Sequence, residues 1–345
     1  MKRFCGSLAA LAIGVMVSGG AGAQAPSSLD KSSGGSVPAL SLSKGQAFPT
    51  KPIRIVVPFP PGGTTDVVAR LVAQRMTDSM RQPVVVDNRG GAGGALGADI
   101  VAKAAPDGYT LLMANITFPL SSVAQTLAKR SPFNAETDFE GVSIAVYVPF
   151  VITAHPSVPS KDLRELGALL QNRKLQYNYG STGPGSVMHV IGETFKRDAR
   201  VDMAHIAFKG AAPLKLELLS GRIHVGGDQL STSLAEIRAG QLKALATNGS
   251  KRIAILPDVP TVREQGFASL EFEGWNGLLA PAKTPRAVIE KLQRETVAAV
   301  RHPDVQKRFS DLGAEPVGSS PEEQKAMYLR QMMQFTPVIR EMKLD

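Results

Sequence analysis

Cysteine is almost absent. The one copy, Cys5, stands ahead of an apolar run and away from the small residues that end it, which argues against a lipid anchor there. Once the leader is removed, no thiol remains for a disulfide framework or thiol chemistry, so stability must come from the core. Beyond the leader, no stretch approaches the roughly 18 apolar residues of a membrane span. The sequence contains no G-x-S-x-G, no H-E-x-x-H and no G-x-x-x-x-G-K-[ST], which removes the usual serine-hydrolase, zincin and phosphate-loop signatures. The five histidines (His155, His189, His205, His224 and His302) stand at least 16 residues apart, with no metal-ligand spacing. No Lys/Arg block is interleaved with aromatics and no basic amphipathic helix occurs, so nucleic acid is not expected as a partner. The formal charge of +9, or +7 without Lys2 and Arg3, leaves a mild bias toward anions.

Met1 to Ala25 carries Lys2 and Arg3, an apolar run from Leu8 to Val17, and Ala21-Gly22-Ala23. This is the pattern of a secretory signal peptide cut near Ala23 or Ala25, and it predicts export to the periplasm. Residues 26–47, rich in Ser, Gly and Pro, read as a disordered spacer. About 300 residues follow with alternating strand-like and helix-like stretches, which predicts two α/β domains.

The most informative stretch is Ile53 to Arg70, IRIVVPFPPGGTTDVVAR. A β-branched run breaks at Pro58, Pro60 and Pro61 into Gly62-Gly63, and helical spacing resumes at Val67. The glycines permit φ > 0 and put no Cβ between backbone N–H groups and a guest. Thr64, Thr65 and Asp66 occupy the expected N-cap region, so unpaired N–H groups and the positive end of a helix dipole face the loop, as in an anion site. An ordinary strand–helix connection fits the same segment.

Val84 to Asn88 runs into Arg89-Gly90-Gly91-Ala92-Gly93-Gly94 and a helix from about Ala95 to Ala104. The glycine spacing is not that of a dinucleotide fingerprint, and no acidic residue closes a following strand. Close packing of helix on strand is the expected use of these glycines. A third strand, Tyr109 to Ala114, ends at Asn115 and Thr117. Val142 to Thr153 reads as one long strand crossing into a second domain, and Ser160 as the cap of a helix to Arg173.

The second domain repeats the design. A strand over Leu175 to Tyr179 leads to Gly180-Ser181-Thr182-Gly183-Pro184-Gly185-Ser186 and a helix, a second helix start suited to an anion and carrying hydroxyls. Strands follow at Met203 to Phe208, Ile223 to Asp228 and Leu242 to Asn248, with helices at Ala212 to Ser220 and Ser231 to Ala239. The Leu242 strand is the candidate for crossing back. Phe272 to Leu279 is a late strand carrying Trp275, and three helices beginning near Pro285, Pro303 and Pro321 finish the chain.

Phe48-Pro49-Thr50-Lys51-Pro52-Ile53-Arg54, Pro61-Gly62-Gly63-Thr64-Thr65-Asp66, Asn88-Arg89 with Gly91-Ala92-Gly93-Gly94, and Pro106-Asp107-Gly108-Tyr109 occur in that order. Lys209-Gly210, Leu256-Pro257-Asp258-Val259-Pro260-Thr261-Val262 and Gly313-Ala314-Glu315-Pro316 continue the series. Together they resemble the substrate-binding proteins of tripartite tricarboxylate transporters, the Bug receptors, over nearly all of residues 48–345. The resemblance implies an α/β periplasmic binding protein of type II, with two α/β domains joined by two crossing strands and a ligand cleft between them. Domain 1 would hold residues 48–148 and 246–345, and domain 2 residues 149–245.

The ligand implied is a small carboxylate, held by Phe59, Pro60, Gly62, Gly63, Thr64, Thr65 and Asp66 from one domain. Ser181, Thr182, Gly183 and Ser186 would close on it from the other, with Asn115, His189 and Asp228 completing the cleft. Met188, where many members carry histidine, and Ala207-Phe208, in place of Pro-Tyr, depart from the pattern near the far end of the ligand. The implied partners are the membrane components of such a transporter or a sensor protein; a monomer without cofactor, metal or direct membrane insertion is expected. The competing reading is a secreted α/β hydrolase or nucleotide-binding enzyme, with Asp66 and Asp228 as possible paired carboxylates.

Overall fold

The computed structural model describes residues 48–172 and 174–342. The signal-peptide and spacer segments lie outside the described residues. In chain order the elements are β1 (Ile53–Val57), α1 (Thr64–Met80), β2 (Val84–Asn88), α2 (Ala95–Ala102), β3 (Thr110–Asn115), α3 (Thr117–Leu127), β4 (Phe139–Tyr147) and β5 (Phe150–Ala154). Then come α4 (Leu163–Leu170), β6 (Asn178–Ser181), α5 (Val187–Ala199), β7 (Ala204–Ala207), α6 (Ala211–Leu219), β8 (Val225–Gln229), α7 (Leu234–Arg238) and β9 (Lys243–Thr247). The last are β10 (Trp275–Pro281), α8 (Arg286–Arg301), α9 (Pro303–Asp311), β11 (Glu315–Pro316) and α10 (Pro321–Glu341).

Two sheets form, each the heart of one lobe. The first has the order β11-β4-β10-β3-β1-β2 and the second β7-β6-β8-β5-β9. In the first, β1 pairs in parallel with β2 and β3, so β1 is covered on both faces, which its unbroken β-branched sequence requires. Ile53, Ile55 and Val57 pack with Val68, Val72, Met76 and Leu292 on one face. Val56, Leu112 and Ala114 join Ala98, Phe118 and Tyr328 on the other. In the second sheet β6 pairs in parallel with β7 and β8, and Ile152, Tyr179, Val225 and Leu245 pack with Leu166 and Ile191.

The stretch expected as one strand over Val142 to Thr153 is two. β4 lies in the first sheet and β5 in the second: the Val148 N–H makes the last bond toward the return strand, to Gly274 O at 2.9 Å, and Pro149 then has no N–H to give. The chain returns after β9 through Asn248, whose N–H reaches Phe150 O at 3.2 Å, and Phe272, whose N–H reaches Asn248 O at 2.9 Å. The return strand starts at Trp275 rather than Phe272. The helix expected from Ser160 starts instead at Leu163, where Asp162 caps the Glu165 N–H, and it ends at Leu170. The segment expected as a helix over Ser231 to Ala239 is a short 3-10 turn followed by α7.

In both sheets the parallel strands end at the same rim. β1, β3, β6 and β7 lead there into the Phe59 loop, Asn115, the Ser181–Ser186 loop and Lys209-Gly210, the position where open α/β sheets bind ligands.

Candidate functional site

Between the lobes lies a cleft lined by Phe59, Pro60, Pro61, Gly63, Thr64, Thr65, Asn115, Thr117, Thr182, Ala211, Ala212, Asp228 and Gln229. Among the helices that begin near this rim without a side chain of the N-cap residue as cap are α1 after Gly63, α5 after Ser186 and α6 after Gly210. Their first N–H groups therefore lack the partner a capping side chain supplies, and each carries the positive end of a helix dipole. The starts of α1 and α6 line the cleft. No Lys or Arg does.

Gly63 is the N-cap of α1, so Thr64, Thr65 and Asp66 are its first turn and not its cap. Of the two glycines only Gly62 takes the left-handed conformation, at φ 90°; Gly63 is extended. A Cβ at Gly63 would meet nothing within 4 Å and would project into open space. Asp66 turns away from the cleft. Its Oδ2 accepts from the Gly62 N–H and Arg70 Nε, both at 3.0 Å, and its Oδ1 accepts from Asn88 Nδ2 at 2.9 Å. Burial pushes its carboxyl up, but the Arg70, Gly62 and Asn88 hydrogen bonds outweigh this and hold it below the ordinary value. Asn88 also donates to Phe59 O at 3.0 Å, so the Pro-Gly loop is stitched from behind by strand β2. Gly97 serves the same packing, since a Cβ there would fall 2.8 Å from Pro58.

The hydroxyls have separate fates. Thr65 Oγ1 donates to Asn276 Oδ1 at 2.9 Å and accepts from Asn115 Nδ2 at 2.8 Å. Thr64 Oγ1 and Ser231 Oγ are in hydrogen-bond contact across the cleft. Ser181 Oγ lies 2.6 Å from His205 Nε2 and accepts from the Gly183 N–H at 3.1 Å, so it shapes its own loop. Thr182 alone of the second loop lines the cleft. Gly62, Asp66, Ser181, Gly183, Ser186 and His189 are not part of that lining, and all of them but Gly62 are buried.

His189 is buried. Its Nδ1 accepts from the Gly185 N–H at 3.0 Å, and its ring stacks on His205 at 4.1 Å between centroids, with His205 in turn stacked on Tyr179 at 4.9 Å. Burial, and then the neighbouring His205, push the His189 imidazole down to about 4. It therefore positions the second loop as a neutral acceptor. Two histidines that are far apart in sequence thus meet face to face, an arrangement that does not converge lone pairs on a cation. Among the described residues no group of three or more His, Cys, Asp or Glu side chains is placed to hold a metal.

Met188 is buried and packs behind β8 near Gly227, and Phe208 packs toward Leu214 and Leu218, so neither lines the cleft. Ala211, Ala212 and Gln229 do, and sequence chemistry missed them. Alanine advertises nothing, and the only local signal was Gly210, whose φ of 117° breaks the chain ahead of α6.

The lobes touch. Pro60 stands 3.0 Å from where a Gly210 side chain would begin, and Pro184 O stands 3.1 Å from that of Gly93. The cleft encloses about 50 Å³.

Two lobes, two crossings and a cleft at the strand ends define a periplasmic binding protein of type II. The model of the family described as Tripartite tricarboxylate transporter family receptor (TctC) matches residues 68–344. The chain belongs to that family. It is similar to the periplasmic binding protein BugD, with 34% identity over 85% of this chain and 98% of that one and a TM-score of 0.78. MatC of Rhodopseudomonas palustris, solved with bound malate, is 32% identical over 85% of this chain and all of the other, with a TM-score of 0.79. A second R. palustris protein, Rpa4515, solved with adipate, is 29% identical over 85% of this chain and 97% of that one, with a TM-score of 0.76.

Proposed function

We propose that this chain is a periplasmic receptor that captures a small carboxylate between its lobes and presents it to the membrane components of a tripartite tricarboxylate-type transporter or to a sensor. One observation carries the reading: the cleft is lined by two uncapped helix starts and by threonine hydroxyls, with no basic side chain. Backbone N–H groups at a helix N-terminus suit a carboxylate, since they point at the anion and their dipole favours it. The bound malate and adipate of the two R. palustris proteins agree with that chemistry. The match to a receptor family and the likeness to a periplasmic binding protein support a binding protein over an enzyme.

The sheet membership of the strands supports the discontinuous division of residues 48–148 and 246–345 from residues 149–245, except that β9 keeps the second sheet to Thr247 and moves the second boundary past it. Small-molecule pockets span roughly 300–1,000 Å³, so a cleft of about 50 Å³ must widen to admit a dicarboxylate, with the two crossings as the hinge. Export follows from the leader, and the protein acts as a monomer.

Titration calorimetry and thermal shift against mono-, di- and tricarboxylates and acidic amino acids, with sugars as controls, test this. A ligand at a hundred times its Kd adds about 2.7 kcal/mol to stability. A shift from a sugar and from no carboxylate overturns the reading.

A further inference from the structure

Asp228 is the one carboxylate that lines the cleft. It sits near the end of β8, opposite the start of α1 and beside the start of α6, and it is partly open to the cleft. Its Oδ1 accepts from the Gln229 N–H at 2.8 Å, and the Thr232 hydroxyl lies close by. No ion pair engages it among the described residues. The Lys215 ammonium acts on it only from a distance, because Lys215 Nζ is held by Glu236 Oε1 at 2.7 Å and Thr232 O at 3.1 Å.

The helix starts of α1 and α6 and the threonine hydroxyls of the cleft wall suit an anion. An anionic acceptor placed among donors therefore repels the very ligand those donors attract, unless the ligand brings a donor of its own. Burial, more than any neighbouring charge, pushes the Asp228 carboxyl up to about 6, and its donors within the protein are the Gln229 N–H and the nearby Thr232 hydroxyl, which leaves the side open to the cleft free to accept from a ligand. A ligand hydroxyl or ammonium would give it the missing partner.

Resting on the carboxylate reading, we propose that Asp228 is the specificity-determining residue of the cleft. It accepts a hydrogen bond from a hydroxyl or ammonium group beside the ligand's carboxylate, so that α-hydroxy and α-amino acids are preferred to the unsubstituted acids. A site built to bond a polar substituent rejects the analogue that lacks it, because its own buried group is then left unpaired. This chain thereby falls on the side of malate and not of adipate.

The test is calorimetric titration of the intact mature protein at neutral pH with matched acids: succinate against malate and aspartate, glutarate against its hydroxy and amino counterparts, and adipate against its own. The wild-type chain is expected to bind a substituted acid at least about tenfold more tightly than its unsubstituted partner, the scale of one charge-assisted hydrogen bond. Asp228→Asn keeps the shape and the Gln229 contact but removes the charge, so the unsubstituted acid should tighten and the preference collapse toward parity. Equal binding of each matched pair by the wild-type chain overturns the assignment whether or not the variant folds, and so does an unchanged preference in Asp228→Asn, while the carboxylate reading stands. Failure of the wild-type chain to bind any acid overturns the carboxylate reading and this assignment with it.

Discussion

Thr65 donates its hydroxyl proton to Asn276 Oδ1 at 2.9 Å across 211 residues of sequence. The bond ties the first turn of α1 to the strand by which the chain returns to the first lobe. Asn276 Nδ2 then donates to Gln229 Oε1 of the second lobe at 3.1 Å, and Asn115 Nδ2 donates to Thr65 at 2.8 Å. The relay Asn115, Thr65, Asn276, Gln229 thus runs from the cleft floor through the hinge, and all four side chains are buried.

Replacing Asn276 with Leu leaves Thr65 without an acceptor and Gln229 Oε1 without its donor. Each buried group so stranded costs about 1–3 kcal/mol. A drop in the thermal midpoint and weaker carboxylate binding are expected together. Unchanged stability by chemical denaturation would show that the relay is dispensable.

Gly62 and Gly63 separate two effects. Gly63 is extended with open space before it, so Gly63→Val should fold normally and lose binding by filling the cleft. Gly62 is left-handed at φ 90°, so Gly62→Ala should cost about 1–2 kcal/mol of strain. Circular dichroism melts with titration of each variant check both; normal binding by Gly63→Val refutes the backbone site.

Asp66→Asn should destabilise the Pro-Gly loop in a pH-dependent way. The folded carboxyl lies below its unfolded value, so its contribution is full above the unfolded pKa and disappears as pH falls through the folded one. The stability gap between wild type and variant, followed by urea denaturation from neutral to acidic pH, should close at the acid end. A gap independent of pH refutes the ion-pair role with Arg70.

His189 shifts in the same direction, in a higher pH window. Its folded pKa of about 4 lies below the ordinary 6.5, so the unfolded chain binds more protons between those values and stability falls as pH drops through that window. His189→Gln retains an acceptor for the Gly185 N–H and cannot take up the proton. Stability measured between pH 7 and pH 4 should therefore fall less steeply in the variant; an identical slope refutes the assignment.

Local pattern alone placed much of this protein. The strands Ile53–Val57 and Val84–Asn88 stand where β-branched runs put them; the first is a buried central parallel strand with no polar face to blur its limits. The Pro-Gly loop and both glycine-punctuated helix starts were legible for a similar reason: proline and glycine act on their own backbone.

What the tertiary structure decided was the use of each polar side chain. A threonine hydroxyl can rotate toward ligand or protein, and only folding brings Asn276 to Thr65, Ser231 to Thr64 or His205 to Ser181. Asp162 took the cap from Ser160 where Leu163 N–H meets Gln265, 102 residues away. The third helix start, at Ala211 and Ala212, has no side-chain chemistry to read. Sequence therefore determined where proline and glycine leave helix starts without a side-chain cap, and the packing of two lobes determined that Asp228 is the carboxylate lining the cleft beside them.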